Sequence, residues 1–450
     1  GRPTALWETS VPCSYTIAAG GITLTNYLGF GGEVILPPAI SAFPVTAIGD
    51  EMFRGCADLS KVTIPSSVNT IGHAAFQDCA NLTSLTIPDS VTTMGSEVCS
   101  GCPRLSAVSI GSGMRYLSDS GFAYCSNLKT VSIPSSVTDI GEHAFYESGL
   151  ATLNLPASVR NIGAYAFWKN CLTTLAIPNG VTNVEVGAFA GCANLTNATI
   201  GSSVTTIREA TFASCSSLVA VTLPPSLTSI EPAAFAWCTS LPEIALPPSV
   251  TSIGDEAFEM CTSLTRINIP DGVTVIAAHL FDGCCSLRSI TIPNTVVGIA
   301  PWAFSGCTNL TYVSIPDSVI SIGDCAFSAC DSLTSIVIPA SVTSIGDWTF
   351  FFCTNLKGVY FKGNAPSYGP EVFHQASGDV IVYRRADASG WDTTFAGRQT
   401  AFWTPGVLAS IQIRADSTTV PENSTAHFSC TATYSDGTTA DVTTSGQCQW

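Results

Sequence analysis

Charge is scarce in this sequence. Only 11% of its 450 residues are Asp, Glu, Lys or Arg, and 17 basic residues stand against 33 acidic ones, a formal net charge of -16. So few cations cannot neutralise a run of phosphates, which excludes nucleic acid and anionic membrane as partners. Histidine is rarer still, at five residues. His73, His143 and His279 fall on turns with no Ser, Cys or carboxylate at a repeated spacing from them. No catalytic dyad is read there, and the chain is expected not to be an enzyme. Long apolar runs are also missing, although 46% of the residues are hydrophobic. Nothing approaches the ~18 consecutive apolar residues of a spanning helix, so no membrane insertion is expected.

What is present is a repeat. The stretch from Leu241 to Ser263, LPEIALPPSVTSIGDEAFEMCTS, is one copy. Leu241, Ile244 and Leu246 turn three apolar side chains to one side of a short strand that Pro247 closes. Val250 and Ile253 make a second apolar pair, and Gly254 lets the backbone turn. Asp255-Glu256-Ala257-Phe258 is acidic at its start and carries a ring, which predicts a single helical turn with an inward Phe. Such a unit cannot bury its apolar groups alone and must stack on copies of itself.

The copies keep register. Strand-closing residues fall at Ile64, Ile87, Ile110, Ile133, Leu155, Ile177, Ile200, Leu223, Leu246, Ile269, Ile292, Ile315, Ile338 and Phe361, 23 apart except for steps of 22 at Leu155 and Ile177. Every marker has a Leu five residues before it, and every one but Ile87, where Cys99 stands, has a Phe twelve residues after it. An earlier marker, Leu36, precedes Ile64 by 28, which places an insertion at residues 39–45 of the first coil.

The flanks follow other patterns. Residues 8–35 alternate and carry Gly-Gly pairs, which predicts a hairpin capping the first coil. The array is placed at 36–376, and residues 377–404, with Trp391, Phe395 and Trp403, form the opposite cap. Residues 1–7, GRPTALW, nearly repeat GRQTAFW at 397–403 and are expected to be the tail of an identical upstream module. Residues 405–450 change to period 2, the opening of a β-sandwich with about half of the ~100 residues such a domain requires.

The pattern L-x-x-[VIL]-x-[IL]-P-x-S-V-x-x-I-G-x-x-A-F-x-x-C resembles the BspA-like class of leucine-rich repeats over about 340 residues. The tail, with Tyr434-Ser-Asp-Gly-Thr-Thr439, resembles a bacterial immunoglobulin-like (group 2) domain. The first resemblance implies an α/β solenoid with a parallel β-sheet and short helical turns in 23-residue coils. The second adds a partial all-β sandwich at the C-terminus. Together they imply an extracellular or cell-surface protein mediating adhesion, its partner a host matrix or cell-surface protein. No catalytic residue comes with the family.

Cysteine is abundant, at 19 residues, and twelve of them (Cys56, Cys79, Cys102, Cys125 and onward to Cys353) stand eight before a marker. Stacking sets them in a file, where parallel side chains do not face one another, so they are read as free thiols acting as small core hydrophobes. Cys99-Ser-Gly-Cys102 is a C-x-x-C, but Cys102 belongs to the file and Cys99 fills a Phe slot. No metal or cofactor site is expected. Cys430 and Cys448, outside the array, form a candidate disulfide.

The exposed strand positions are mostly small and polar, as in the file Thr63, Thr86, Ser109, Ser132, Thr199, Thr222. That monotony breaks at Arg266, Arg288 and Tyr312, residue types favoured as interface anchors, and these three are the candidate ligand-binding residues. A passive stalk carrying another domain is the alternative to an adhesin. A stalk would keep its exposed faces uniform, whereas a binding protein would break them with aromatic and Arg residues.

Overall fold

The computed structural model describes residues 12–18 and 20–403, and the backbone of three further strands, Leu408–Ala415, Phe428–Tyr434 and Thr439–Asp441. The chain divides into two compact units, Gly1–Gly272 and Val273–Trp450.

In the first unit the L-x-x-[VIL]-x-[IL] segments form parallel ladders. Gly32–Ile35, Leu59–Thr63, Ser84–Ile87 and Ala107–Ile110 pair in sequence order, as do Thr174–Ala176, Asn197–Thr199 and Ala220–Thr222. The register is one coil: Leu85 pairs with Val108, both inward, and Thr86 with Ser109, both exposed. The alternation that sends every second side chain to the core is the period-2 property of a strand.

The second apolar pair of each coil also makes a sheet, which hydrophobic spacing alone does not assign. Ile253 lies in the two-residue strand Ser252–Ile253, parallel to Ser229–Ile230 and through it to Thr206–Ile207. Each such Ile is buried.

The segment expected to be a helical turn is not one, and no helix occurs among the described residues. The corner is a run of tight turns with two left-handed residues, Glu256 (φ 60) and Met260 (φ 56) in the copy above. Its amides alternate between two destinations. Cys238 N–H closes a turn on the Phe235 carbonyl at 3.2 Å, while Phe235 N–H reaches the Ala257 carbonyl of the next coil at 2.9 Å. A helix would satisfy those donors within its own segment and leave the neighbouring coil's carbonyls unpaired. Stacking favours the corner that shares them.

The expected inward Phe file is present. Phe122, Phe145, Phe167, Phe189, Phe212, Phe235 and Phe258 are fully buried, and successive rings stack at 5.3 to 5.9 Å. Burying each ring contributes about 1.5 to 3 kcal/mol. Cys99 takes the missing ring's place and is itself buried.

At the start of this unit Cys13–Ala18 and Gly21–Tyr27 form an antiparallel hairpin, and Gly21–Tyr27 then pairs in parallel with Phe43–Ile48. The insertion folds as a hairpin of its own: Ala39–Ile40 pairs with Phe43–Ile48 across Ser41 (φ 48) and Ala42 (φ 70).

The second unit repeats the coil. One sheet joins Val275–Ile276, Gly298–Ile299, Ser321–Ile322, Ser344–Ile345 and Ser367–Tyr368, and another joins Ser335–Ile338, Gly358–Phe361, Ile381–Arg384 and Arg398–Phe402. Phe281, Phe304, Phe327, Phe350 and Phe373 continue the ring file of this unit. Trp391 and Phe395 pack on Phe361 at 4.9 and 5.2 Å, and Trp403 on Tyr360 at 5.5 Å. Leu408–Ala415, Phe428–Tyr434 and Thr439–Asp441 form a three-stranded antiparallel sheet. Among the described residues of this segment these three strands are the sheet seen, and the rest of the expected partial sandwich lies outside the described residues. The side chains of Cys430 and Cys448, and residues 1–7, lie outside the described residues.

Candidate functional site

Three surfaces of the coil carry side chains that could do chemistry or make contacts. The first is the Cys file. Its thiols are buried, as expected, but they are also donors. Cys238 Sγ lies 3.2 Å from the Phe212 carbonyl and Cys261 Sγ 3.3 Å from that of Phe235, and the same bond recurs at Cys307, Cys330 and Cys353. The two shortened coils confirm the need for a donor. Ser148 Oγ donates to the Phe122 carbonyl at 2.5 Å, and Asn170 Nδ2 to that of Phe145 at 2.6 Å. Both side chains are buried and polar, at a place where hydrophobic spacing predicts a pure hydrophobe. The sequence holds this signal: Ser148 and Asn170 stand seven, not eight, before Leu155 and Ile177, offset by the 22-residue steps.

Burial pushes these thiols away from reactivity. Cys192, Cys261 and Cys353 are raised to about 12, chiefly by burial, partly offset by a backbone amide bond to each. Cys215, Cys238, Cys307 and Cys330 are also raised well above the ordinary thiol value, by burial and then by neighbouring thiols. Cys99 is raised by burial, then by Cys102 and Cys125. A thiol held protonated is neither a ready nucleophile nor a metal ligand.

The second surface is the exposed strand face. Hydroxyls just before its strands bond the backbone of the preceding coil: Thr265 Oγ1 donates to the Pro242 carbonyl at 3.1 Å and Thr311 Oγ1 to that of Arg288 at 3.0 Å. The Ser of each P-x-S-V does likewise, Ser249 Oγ reaching the Leu227 carbonyl at 2.6 Å. Of the three candidate contact residues, Arg266 lies in the first unit, in register with Glu243 and bonded through Nε to its carboxylate at 2.6 Å. Its charge is therefore met within the chain. Arg288 and Tyr312 lie in the second unit. The residue in register with Tyr312 is Ser289, and Arg288 stands one position earlier, exposed.

The third surface is the corner, expected to be a plain solvated turn. Its histidines have partners after all: His73 Nδ1 lies 2.8 Å from Ser96 Oγ, His279 Nδ1 2.9 Å from Asp282, and His374 Nδ1 3.2 Å from Glu371. Asp50 takes the His73 backbone amide at 2.7 Å, not its ring, so it does not orient the imidazole toward Ser96. A triad geometry is not assembled there.

The corner also carries large aromatic residues in the left-handed region. Tyr124 (φ 60), Trp237 (φ 62), Trp302 (φ 59), Trp348 (φ 54) and Phe352 (φ 57) are all substantially exposed. Other coils put Gly there, as at Gly187 (φ 60) and Gly191 (φ 71). Bulky residues at positive φ are strained, and the stacking of neighbouring coils holds them. No feature of the repeat pattern flags these positions, because left-handed residues are invisible in a hydrophobic period.

The family model of the BspA-type leucine-rich repeat region (6 copies) matches residues 46–173, 160–284 and 274–385. A leucine-rich repeat protein from Bacteroides ovatus ATCC 8483, 26% identical, aligns over 87% of this chain and 98% of its own, with a TM-score of 0.67. A leucine-rich cell surface protein from Faecalibacterium prausnitzii A2-165, 25% identical, aligns over 81% of this chain and 96% of its own, with a TM-score of 0.46. No curated protein matches the chain. With its stacked, phased coils and a family match over more than half its length, this chain belongs to the BspA-type leucine-rich repeat family.

Proposed function

We propose that this protein is a non-enzymatic binding protein displayed outside the cell, contacting a host matrix or cell-surface protein through its exposed coil surfaces. The observation that carries the reading is the set of exposed aromatic corners. Tyr124, Trp237, Trp302, Trp348 and Phe352 break the uniformity that a stalk would keep, and they do so at backbone positions where a large side chain is costly. Arg266, Arg288 and Tyr312 are further proposed contacts. The extracellular placement rests on the family resemblance, as does the proposal that residues 405–450 open a bacterial immunoglobulin-like domain.

The stalk reading has its own support, because hydroxyls beside the strands, those of Ser249, Thr265 and Thr311, are spent on the backbone of the preceding coil. One experiment separates the two. The purified chain is presented to immobilised matrix proteins beside a variant with Tyr124, Trp237, Trp302, Trp348 and Phe352 changed to Gly or Ala. Binding by the parent that the variant loses supports the adhesin; absence of binding by the parent leaves the stalk.

A further inference from the structure

In the second unit the aromatic corners stand in an acidic setting. The corners are residues 277–286, 300–309, 323–332, 346–355 and 369–377. They stack coil on coil: Trp302 N–H donates to the Asp324 carbonyl at 2.9 Å, Cys325 N–H to that of Asp347 at 2.8 Å, and Phe352 N–H to that of His374 at 3.2 Å. Trp302, Trp348 and Phe352 are 37%, 41% and 45% exposed. Phe351 stacks on Trp348 at 5.3 Å and meets Phe352 edge-on at 4.9 Å, while His374 packs on Trp348 and Phe351 at 6.3 and 5.7 Å. Trp348, Phe351 and Phe352 thus form one aromatic patch whose rings support one another.

These corners hold five carboxylates, Asp282, Asp324, Asp331, Asp347 and Glu371, and neither Lys nor Arg. Two of the five meet histidines, Asp282 with His279 at 2.9 Å and Glu371 with His374 at 3.2 Å. Asp324 and Asp331 accept from neutral donors, the Asp347 amide and the Thr354 hydroxyl, each at 2.9 Å. A neutral donor leaves the negative charge in place. Burial and then Asp324, Asp347 and Asp282 push the Cys325 thiol up, so three carboxylates bear on one point. Elsewhere the chain lays a cation of its own over a ring: Lys169 Nζ lies 4.0 Å from the Trp168 centroid, and the Arg384 guanidinium 4.4 Å from that of Phe402. Among the described residues no Lys or Arg does so at Trp302, Trp348 or Phe352.

We propose that these corners take an extended, arginine-bearing segment of a partner protein. The guanidinium is the group that matches both features, because it is weakly hydrated, packs on aromatic rings and pairs with carboxylates through a planar fork. Lys would bring the charge alone. The Phe rings beneath the corners step by 5.3, 5.9 and 5.6 Å from Phe304 to Phe373. The corners from Trp302 to Glu371 therefore span roughly 17 Å, which about five or six extended residues cover at ~3.3 Å each. The inference rests on the binding reading above and names the chemistry of the partner at this part of the surface.

The test uses the whole chain and a fluorescein-labelled peptide of alternating Arg and Ser, about seven residues long, with fluorescence anisotropy as the readout and circular dichroism to check folding. The parent is expected to bind it saturably, about fivefold more tightly than the Lys-Ser counterpart. Trp302→Ala combined with Trp348→Ala should weaken binding about tenfold. That variant should fold, since Ala74, Ala210 and Ala233 hold the same corner place in other coils at φ 51, 51 and 53. Asp324→Asn combined with Asp347→Asn should weaken binding about fivefold and flatten its salt dependence. Glu33→Gln combined with Glu209→Gln, two exposed carboxylates of the first unit, should bind as the parent does. The proposal is overturned by absence of saturable binding to the folded parent, by equal binding of the Arg and Lys peptides, or by parent-like binding of the folded tryptophan variant. Equal losses from the two carboxylate pairs would also overturn it, by reducing the effect to net charge. If the peptide fails while matrix protein binds, this inference falls alone; peptide binding without matrix binding removes the matrix reading and leaves the site.

Discussion

The side-chain amide of Asn170 donates to the Phe145 carbonyl at 2.6 Å, in the place that Cys261 fills for the Phe235 carbonyl. Two chemically unlike residues serve one carbonyl in equivalent coils, so what the position requires is a donor of about the right size. The Phe235 carbonyl keeps the Cys238 amide, so losing the side-chain donor leaves only its second lone pair unmet, at a cost of about 0.5 to 1.5 kcal/mol. Cys261→Ser should therefore be tolerated to within about 1 kcal/mol, as Ser148 is in its coil, while Cys261→Val should cost more despite its hydrophobicity. Urea midpoints of the two variants against the parent measure this. Equal destabilisation by Ser and Val would return the file to a purely hydrophobic role.

The same burial predicts how the thiols titrate. Cys192, Cys261 and Cys353 are raised to about 12 in the folded chain, against about 8.5 in an unfolded one. A raised acid binds its proton more tightly when folded, so its contribution to stability is intact below the unfolded value and is lost as pH climbs through the folded one. Stability should be flat up to about pH 8 and fall steeply from there toward pH 12. A Cys192/Cys261/Cys353→Ser variant should show a shallower alkaline loss. Near pH 8 the native protein should leave its ladder thiols unalkylated by iodoacetamide, and thiol counting in denaturant should recover at least the twelve ladder residues.

The parts of the fold legible in the sequence are those written in hydrophobicity. The Leu, Ile and Phe positions repeat, so the strand ladder and the inward ring file follow from spacing alone. The corner misleads, because its acidic start and inward Phe fit a helical turn equally well. What decides against the helix is Phe235 N–H bonding to Ala257 of the next coil, a partner 22 residues away. The short second sheet escapes for a similar reason: two-residue strands such as Ser229–Ile230 are too brief to show period 2. The exposed aromatic corners such as Trp302 and Trp348 depend on positive φ, which composition does not encode.

Phe258 tests the ring file. It is fully buried and stacked on Phe235 at 5.6 Å with 2° between planes. Replacing it by Ala should cost about 3 to 5 kcal/mol, since neighbours held by their own coil bonds cannot collapse into the space. Cys99 marks what the array accommodates: it occupies a ring slot and stays fully buried. Phe258→Cys should accordingly cost no more than Phe258→Ala. A loss below about 1 kcal/mol for Phe258→Ala would mean that the file packs loosely.

Arg266 and Glu243 supply the cleanest separation of binding from stability. Their side chains are 57% and 55% exposed, and the pair spans adjacent strands in register. Solvent screens such a pair, and the side-chain freedom given up to form it offsets part of the attraction, so it contributes about 0 to 1 kcal/mol. Arg266→Ser should leave the denaturation midpoint within that small margin. A Glu243→Ser change, by contrast, removes this ion pair and leaves the guanidinium in place. If the strand face touches an acidic partner, Glu243→Ser should strengthen binding to immobilised matrix protein and Arg266→Ser should weaken it, with neither altering the fold. Identical binding by both variants and the parent would remove Arg266 from the contact surface and leave the aromatic corners to carry it.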